Sequence, residues 1–162
     1  MTHEPRLTTL LRDMLHTRRT AALATVDEHG APAVSMVPFA VDETQRCIVL
    51  HLSALAPHTA QLQRQPRAAL LVAQGEVPGE PVHALPRVSI QVLAFTPAPE
   101  APDAASARVA YLERFPEAAP MTELSDFRFV LLEPVAARQI AGFGAARTVD
   151  EDELRLALGP AP

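Results

Sequence analysis

Sixteen prolines divide the 162-residue chain into short stretches, and this punctuation restricts the fold more than any other feature. Proline breaks helix interiors and is excluded from central strands except at edges and bulges. Long helices of a bundle cannot be threaded through such a sequence, whereas short strands, turns and a few capped helices can. The uninterrupted segments are apolar and hydrophobic residues reach 48%, so a real core is available. A chain of this length makes one domain. A single domain is expected across 1–162, with 1–6 and 157–162 frayed.

Periodicity fills the stretches between the prolines. Leu7, Leu10, Leu11, Met14 and Leu15 fall on one stripe of an amphipathic helix. "TAALATV" is then a strand, "DEHG" a turn with Gly30 at the permissive position, and "APAVSMVPFAV" a second strand. That second strand is apolar on both faces apart from Ser35, which suits the middle of a closed sheet or the cover of a partner subunit. "RCIVLHLS" alternates, with Ile48, Leu50 and Leu52 on one face and Cys47, Val49, His51 and Ser53 on the other. A short helix over Ala56 to Arg64 and strands "RAALLVA" and "RVSIQVLAF" follow. A further helix spans roughly 103–115, with Asp103 as N-cap and Pro116 as stop. "FRFVLLEP" and "ARQIAGFGAA" are the last strand candidates, before a short acidic helix. The result is a β-rich domain with helices laid over a barrel or sheet.

Composition excludes several function classes. Fourteen basic against nineteen acidic residues give a net charge of −5, with no basic run longer than Arg18-Arg19, which argues against a nucleic-acid surface. No apolar run approaches the length needed to span a bilayer, and the N-terminus lacks the pattern of a secretory signal. With Cys47 alone no internal disulfide can form, and the cytoplasm is the expected compartment.

The chemistry concentrates in "HLSALAPHTAQL", residues 51–62. Cys47 and His51 lie about 13 Å apart along a strand, too far to share a zinc ion easily. Ser53 and His58 have no carboxylate nearby in sequence to orient the imidazole, and no nucleophile elbow surrounds the serine. A strand that ends at Ser53 before a helix beginning near Ala56 suits a phosphate better, since unpaired amides and a helix N-terminus would converge there. An ordinary turn serine and a solvated histidine fit the same residues. Arg87, beside Ser89 and Gln91, borders either solvent or a cleft. Phe143 between two glycines marks either a close backbone approach or a bulge.

The ordered series "RRTAALATVDEHGAPAVSMVPFAVD", "LHLSALAPHTAQLQRQPRAALLV", "LPRVSIQV" and "YLERFPEAAPM…DFRFVLLEPVAARQIAGFGAA" resembles the pyridoxamine 5′-phosphate oxidase-like, FMN-binding split barrels, nearest to their haem-utilisation branch. The resemblance runs from about residue 8 to 155. It implies a six-stranded antiparallel split barrel with flanking helices, and a homodimer with FMN in clefts between subunits. It places Ser35, Met36 and Val37 along the flavin, and His51, Leu52, Ser53 and His58 at the ribityl phosphate. Arg87 falls at a polar flavin contact, and Phe143 joins the cofactor-binding set. No side chain is singled out as catalytic and no metal ligand is implied. The oxidases have an arginine and a lysine where this chain has Ala33 and Pro38, and a lysine where His58 stands, so pyridoxamine phosphate is not the expected substrate. The expected function is an FMN-dependent oxidoreductase of a small molecule. The alternatives are a flavin or haem carrier without catalysis, or a haem-utilisation protein.

Overall fold

A computed structural model describes residues 4–162. In chain order the elements are α1 (Arg6–Thr17), β1 (Thr20–Val26), β2 (Pro32–Pro38), β3 (Ala40–Asp42), β4 (Cys47–Ser53) and α2 (Pro57–Arg64). They continue with β5 (Arg67–Ala73), β6 (Arg87–Phe95), α3 (Pro102–Arg114), β7 (Phe127–Ile140), β8 (Ala146–Val149) and α4 (Glu151–Leu158). Short 3₁₀ turns at Val82–Ala84 and Pro116–Glu123 fill two of the connections.

All strands pair antiparallel in one sheet of order β2-β1-β5-β6-β7-β4-β3, with β8 added to β7. The two ends of that order, β2 and β3, are consecutive in the chain and separated only by Phe39. Phe39 is fully buried, and its N–H donates to the carbonyl of Arg19. The chain therefore leaves β1 at Phe39 and joins β4 at Ala40. One covalent step links both edges, which obliges the sheet to curl into a split barrel.

The architecture is the expected one, but eight strands replace the expected six. The stretch read as a continuous second strand is divided at Phe39 into β2 and β3. Nor is β2 a middle strand: it is an edge whose outward Val34 and Met36 are 72% and 71% exposed. The two strands expected at the end are instead one, β7, with β8 returning along it. Pro134 does not end β7, because Gln91 pairs with Ala136 and Val92 with Pro134, leaving Val135 as an extra residue. Such a bulge absorbs a residue that cannot donate to the ladder.

Two cores lie on the two faces of β4. Ile48, Leu50 and Leu52 enter the barrel with Leu23, Leu70, Ile90 and Leu132. Cys47 and Val49 face α3, packing with Ala107, Tyr111 and Phe115. Burial pushes the Cys47 thiol up to about 12, which leaves it unreactive. Asp103 stands in the first turn of α3 rather than at its N-cap, which is Ala101. The carboxylate still meets the positive end of the helix there.

Helices α1 and α4 pack against each other and together cover part of the barrel core. Leu11, Met14 and Leu15 of α1 are buried, while Leu10 stays at the surface. The fraying expected from residue 157 is not observed at its start: Ala157 and Leu158 are fully buried. Arg12 binds their helix end by donating to the carbonyls of Leu156, Ala157 and Gly159. At the other terminus Glu4 pairs with Arg12 at 2.6 Å, and the expectation for residues 1–3 lies outside the described residues. No helix among the described residues is long and apolar enough to cross a membrane.

Candidate functional site

Ser35 sits opposite Leu23 in the β1–β2 ladder and so faces inward, toward α2. The Nδ1 of His58, in the first turn of α2, lies 3.2 Å from its hydroxyl oxygen. Thr25 reinforces the same seam by donating to the side-chain oxygen of Gln61 at 2.6 Å. Burial lowers the His58 pKa, so the imidazole is neutral at pH 7. Two of the residues singled out from the sequence are thus brought into contact by the closure of the barrel.

In the turn between β4 and α2 most of the amides expected to face a phosphate are already paired within the chain. The amide of Ala54 donates to the Asp126 carbonyl, that of Leu55 to the Ser53 hydroxyl, and that of Ala56 to the Ser53 carbonyl. Pro57 has no amide hydrogen, and the amide of Thr59 donates to the carbonyl of Ala56. The Ser53 hydroxyl donates to the Asp126 carboxylate at 3.2 Å, and Thr59 donates its own to the Ser53 carbonyl at 2.6 Å. The corner is an internally bonded turn with a carboxylate at its edge. Asp126 was invisible to sequence reasoning because it reaches the turn from 73 residues away.

Leu52 and Val37 are core residues of the barrel, and Met36 points outward beside Val34. His51 belongs to the other face of β4. Its ring lies 4.6 Å from Phe129, 5.0 Å from Phe127 and 5.6 Å from Tyr111, so it does not converge with Ser35 and His58. Burial lowers its pKa also. Strand alternation separates His51 from Leu50 and Leu52 in the sequence, but it does not show that α3 covers it.

Arg87 and Phe143 occupy the far end of the strands. Arg87 pairs with Ile140 at one end of β7, whereas Ser53 pairs with Phe127 at the other. The Arg87 guanidinium donates to the carbonyls of Leu85 and His83, holding the loop before β6. Phe143 stands at the β7–β8 turn, 92% exposed, between Gly142 at φ +132° and Gly144 at φ +76°. The glycines permit the turn's positive dihedrals, and the exposed ring is a hairpin tip rather than a strand bulge. Among the described residues, no group of three or more histidine, cysteine or acidic side chains could hold a metal ion.

Three comparisons agree on kinship. The heme oxygenase HutZ of Vibrio cholerae is 27% identical over 150 residues, covering 92% of this chain and 84% of that protein. The structure of a heme-binding protein from Mycobacterium smegmatis superposes with a TM-score of 0.84 at 24% identity, over 96% of this chain and 62% of that one. Campylobacter jejuni ChuZ superposes with a TM-score of 0.81 at 18% identity, over 94% of this chain and 63% of that one. The chain thus spans under two thirds of either solved chain, and at these identities the two structures establish the fold alone. The family model described as pyridoxamine 5′-phosphate oxidase matches residues 7–141, most of the sequence. The chain belongs to the pyridoxamine 5′-phosphate oxidase family of split barrels.

Proposed function

We propose that two copies of the chain pair through the outward face of β2, β1 and β5 and hold haem in the cleft between them. The observation that carries the pairing is a flat apolar face without a cover. Met36, Ala22 and Leu71 form one cross-strand row, and Val34, Ala24 and Ala69 form the next. Met36 and Val34 are more than two thirds exposed, and Leu71 is 42% exposed. Contiguous apolar surface of this kind marks a partner face, and the small alanines in its centre allow close approach. A two-fold axis makes such a face self-complementary. It also lets the Arg87–Phe143 end of one copy serve the Ser35–His58 end of the other, which a single chain keeps apart.

Fit separates the candidate cofactors. A phosphate dianion fits poorly at the β4–α2 corner, where the amides of Ala54, Leu55, Ala56 and Thr59 are already bonded and Asp126 adds negative charge. Haem asks for a neutral imidazole whose second nitrogen is held by a neighbour. His58 is neutral and has Nδ1 against Ser35, which leaves its Nε2 for iron. Both residues lie on the inner side of β2, so this ligation requires haem to reach past the β2 edge rather than lie wholly on the outward face. Arg67 and Arg138 border the outward sheet face, where carboxylates of a porphyrin edge would meet them. Bound haem would supply an iron centre for oxygen chemistry, or would itself be cargo or substrate. HutZ, named as a heme oxygenase, supports this assignment by likeness.

The second reading is an FMN-dependent oxidoreductase acting on a small molecule. The family match and the exposed apolar edge of β2, against which an isoalloxazine could lie, favour it. It requires the phosphate to be held elsewhere than at Ser53.

The experiment is titration of the purified protein with haemin and, separately, with FMN, followed by visible absorption and by mass in solution. Haem binding should saturate with a Soret band on a dimer. His58→Ala should shift that band and weaken binding, and Met36→Glu should yield a monomer. Saturable FMN uptake without haem uptake would transfer the site to the flavin reading. Uptake of neither would leave a scaffold.

A further inference from the structure

A cavity of about 270 Å³ opens on the face of β4 turned away from the barrel, between α3, the Pro97–Pro99 approach to it, and β7. Its volume lies just below the range of pockets that enclose drug-sized ligands, too small for haem or FMN. The floor is an aromatic cluster: Phe127 and Phe129 stack about the His51 ring, with Tyr111 behind it. His51 is only 8% exposed, and its Nδ1 is buried without a hydrogen-bond partner among the described residues. Buried polar atoms are as a rule bonded, so this nitrogen is an exception that a ligand or a bound water would remove.

The rim is cationic. Arg108 and Arg128 both line the cavity. Arg108 is engaged by Glu123 at 2.8 Å. Arg128 donates to the carbonyls of Ser125 and Phe127 and has no carboxylate partner among the described residues. Arg128 pairs with Leu52 across the β4–β7 ladder, so its side chain leaves β7 on the face away from Phe127 and Phe129 and meets the cavity only at its rim. A guanidinium without an anion at the rim of an aromatic cavity suits a ligand that is flat, apolar in its body and negative at one edge. The neutral imidazole adds one directional hydrogen bond. We propose that this cavity binds a small aromatic carboxylate of one or two rings, its ring against Phe127 and Phe129 and its carboxylate toward Arg128. The site is separate from the proposed intersubunit face, because it is built on β4, β7 and α3 whereas that face is built on β2, β1 and β5.

Naphthoate is the probe, titrated into the full chain by calorimetry while the His51 imidazole signals are followed by NMR. Saturable binding with a shift of those signals is expected. Arg128→Gln should weaken binding about tenfold, as loss of a charge-assisted contact does. His51→Phe should reduce binding while the thermal midpoint reports whether the aromatic cluster still folds. Naphthalenemethanol, the neutral counterpart, should bind more weakly than naphthoate. Saturation with haemin should leave naphthoate binding unchanged, so failure of the haem assignment does not decide this one. Equal binding of the neutral compound, an unaltered affinity in Arg128→Gln, or no saturable binding would overturn the proposal.

Discussion

Ser35 and His58, 23 residues apart in sequence, meet at 3.2 Å across the seam where α2 lies on the mouth of the barrel. Beside them Thr25 of β1 and Gln61 make a second polar tie between the sheet and α2. The seam is therefore a polar patch against a largely aliphatic barrel, and it fixes the orientation of the His58 imidazole. Ser35→Ala should cost about 1 kcal/mol of stability, the usual worth of a partly buried hydrogen bond. Urea denaturation of the variant measures this, and an unchanged midpoint would mean that the contact does not form in solution.

Three histidines make the protein sensitive to mild acid. Burial holds His16, His51 and His58 below the ordinary imidazole value of 6.5. As pH falls through 6.5 the unfolded chain takes up protons before the native state does, so stability falls. Above that value both states are neutral and the contribution is flat. Thermal midpoints recorded from slightly alkaline to mildly acidic buffer should decline on the acid side. The decline should be shallower in His51→Phe, and an equal slope would assign it to other groups.

A second acid-sensitive feature ties α4 to α1 and β8. Glu153 accepts two hydrogen bonds from Arg147, at 2.8 Å and 2.7 Å, and one from Thr8 at 2.5 Å. The Arg147 guanidinium, with Thr8 assisting, holds the Glu153 carboxyl below the usual carboxylate range against the opposing effect of burial. Its stabilisation is complete above the unfolded-state value and is lost as pH falls through the lower folded one. Glu153→Gln should cost about 1–2 kcal/mol near neutrality, allowing for a pair that is about a quarter exposed. The same substitution should flatten stability at the carboxylate end of the pH range, which chemical denaturation across pH would show.

The apolar side of α4 is expected to matter more than this clamp. Leu154 is fully buried in the main core. Leu154→Ala should destabilise by about 2–5 kcal/mol, the range for emptying a closed leucine site. Calorimetric unfolding checks it, and a loss below 1 kcal/mol would indicate that the helix is peripheral in solution.

Much of this arrangement was legible in the sequence where local rules decide the outcome. The limits of β1 and β5 are those of "TAALATV" and "RAALLVA", because alternation and turn residues bound both. The split at Phe39 was not legible, since a strand that changes partners keeps its apolar pattern throughout. Pro134 suggested a break that the bulge at Val135 makes unnecessary, and bulges are set by the opposing strand. Ser35 and His58 could be singled out separately but not joined, because their contact depends on how the sheet closes. The bonding of the β4–α2 turn was hidden for a similar reason, as Asp126 arrives from the start of β7. His51 was correctly assigned to the face it occupies, while its aromatic neighbours come from two distant segments.

The grip of Arg12 on the carbonyls at the end of α4 bears on how the molecule is made. The first helix has no lid to hold until α4, far along the sequence, is in place. Until α4 docks, the barrel core beneath it is left uncovered, so closure of this part of the fold depends on a contact between residues 145 apart in sequence.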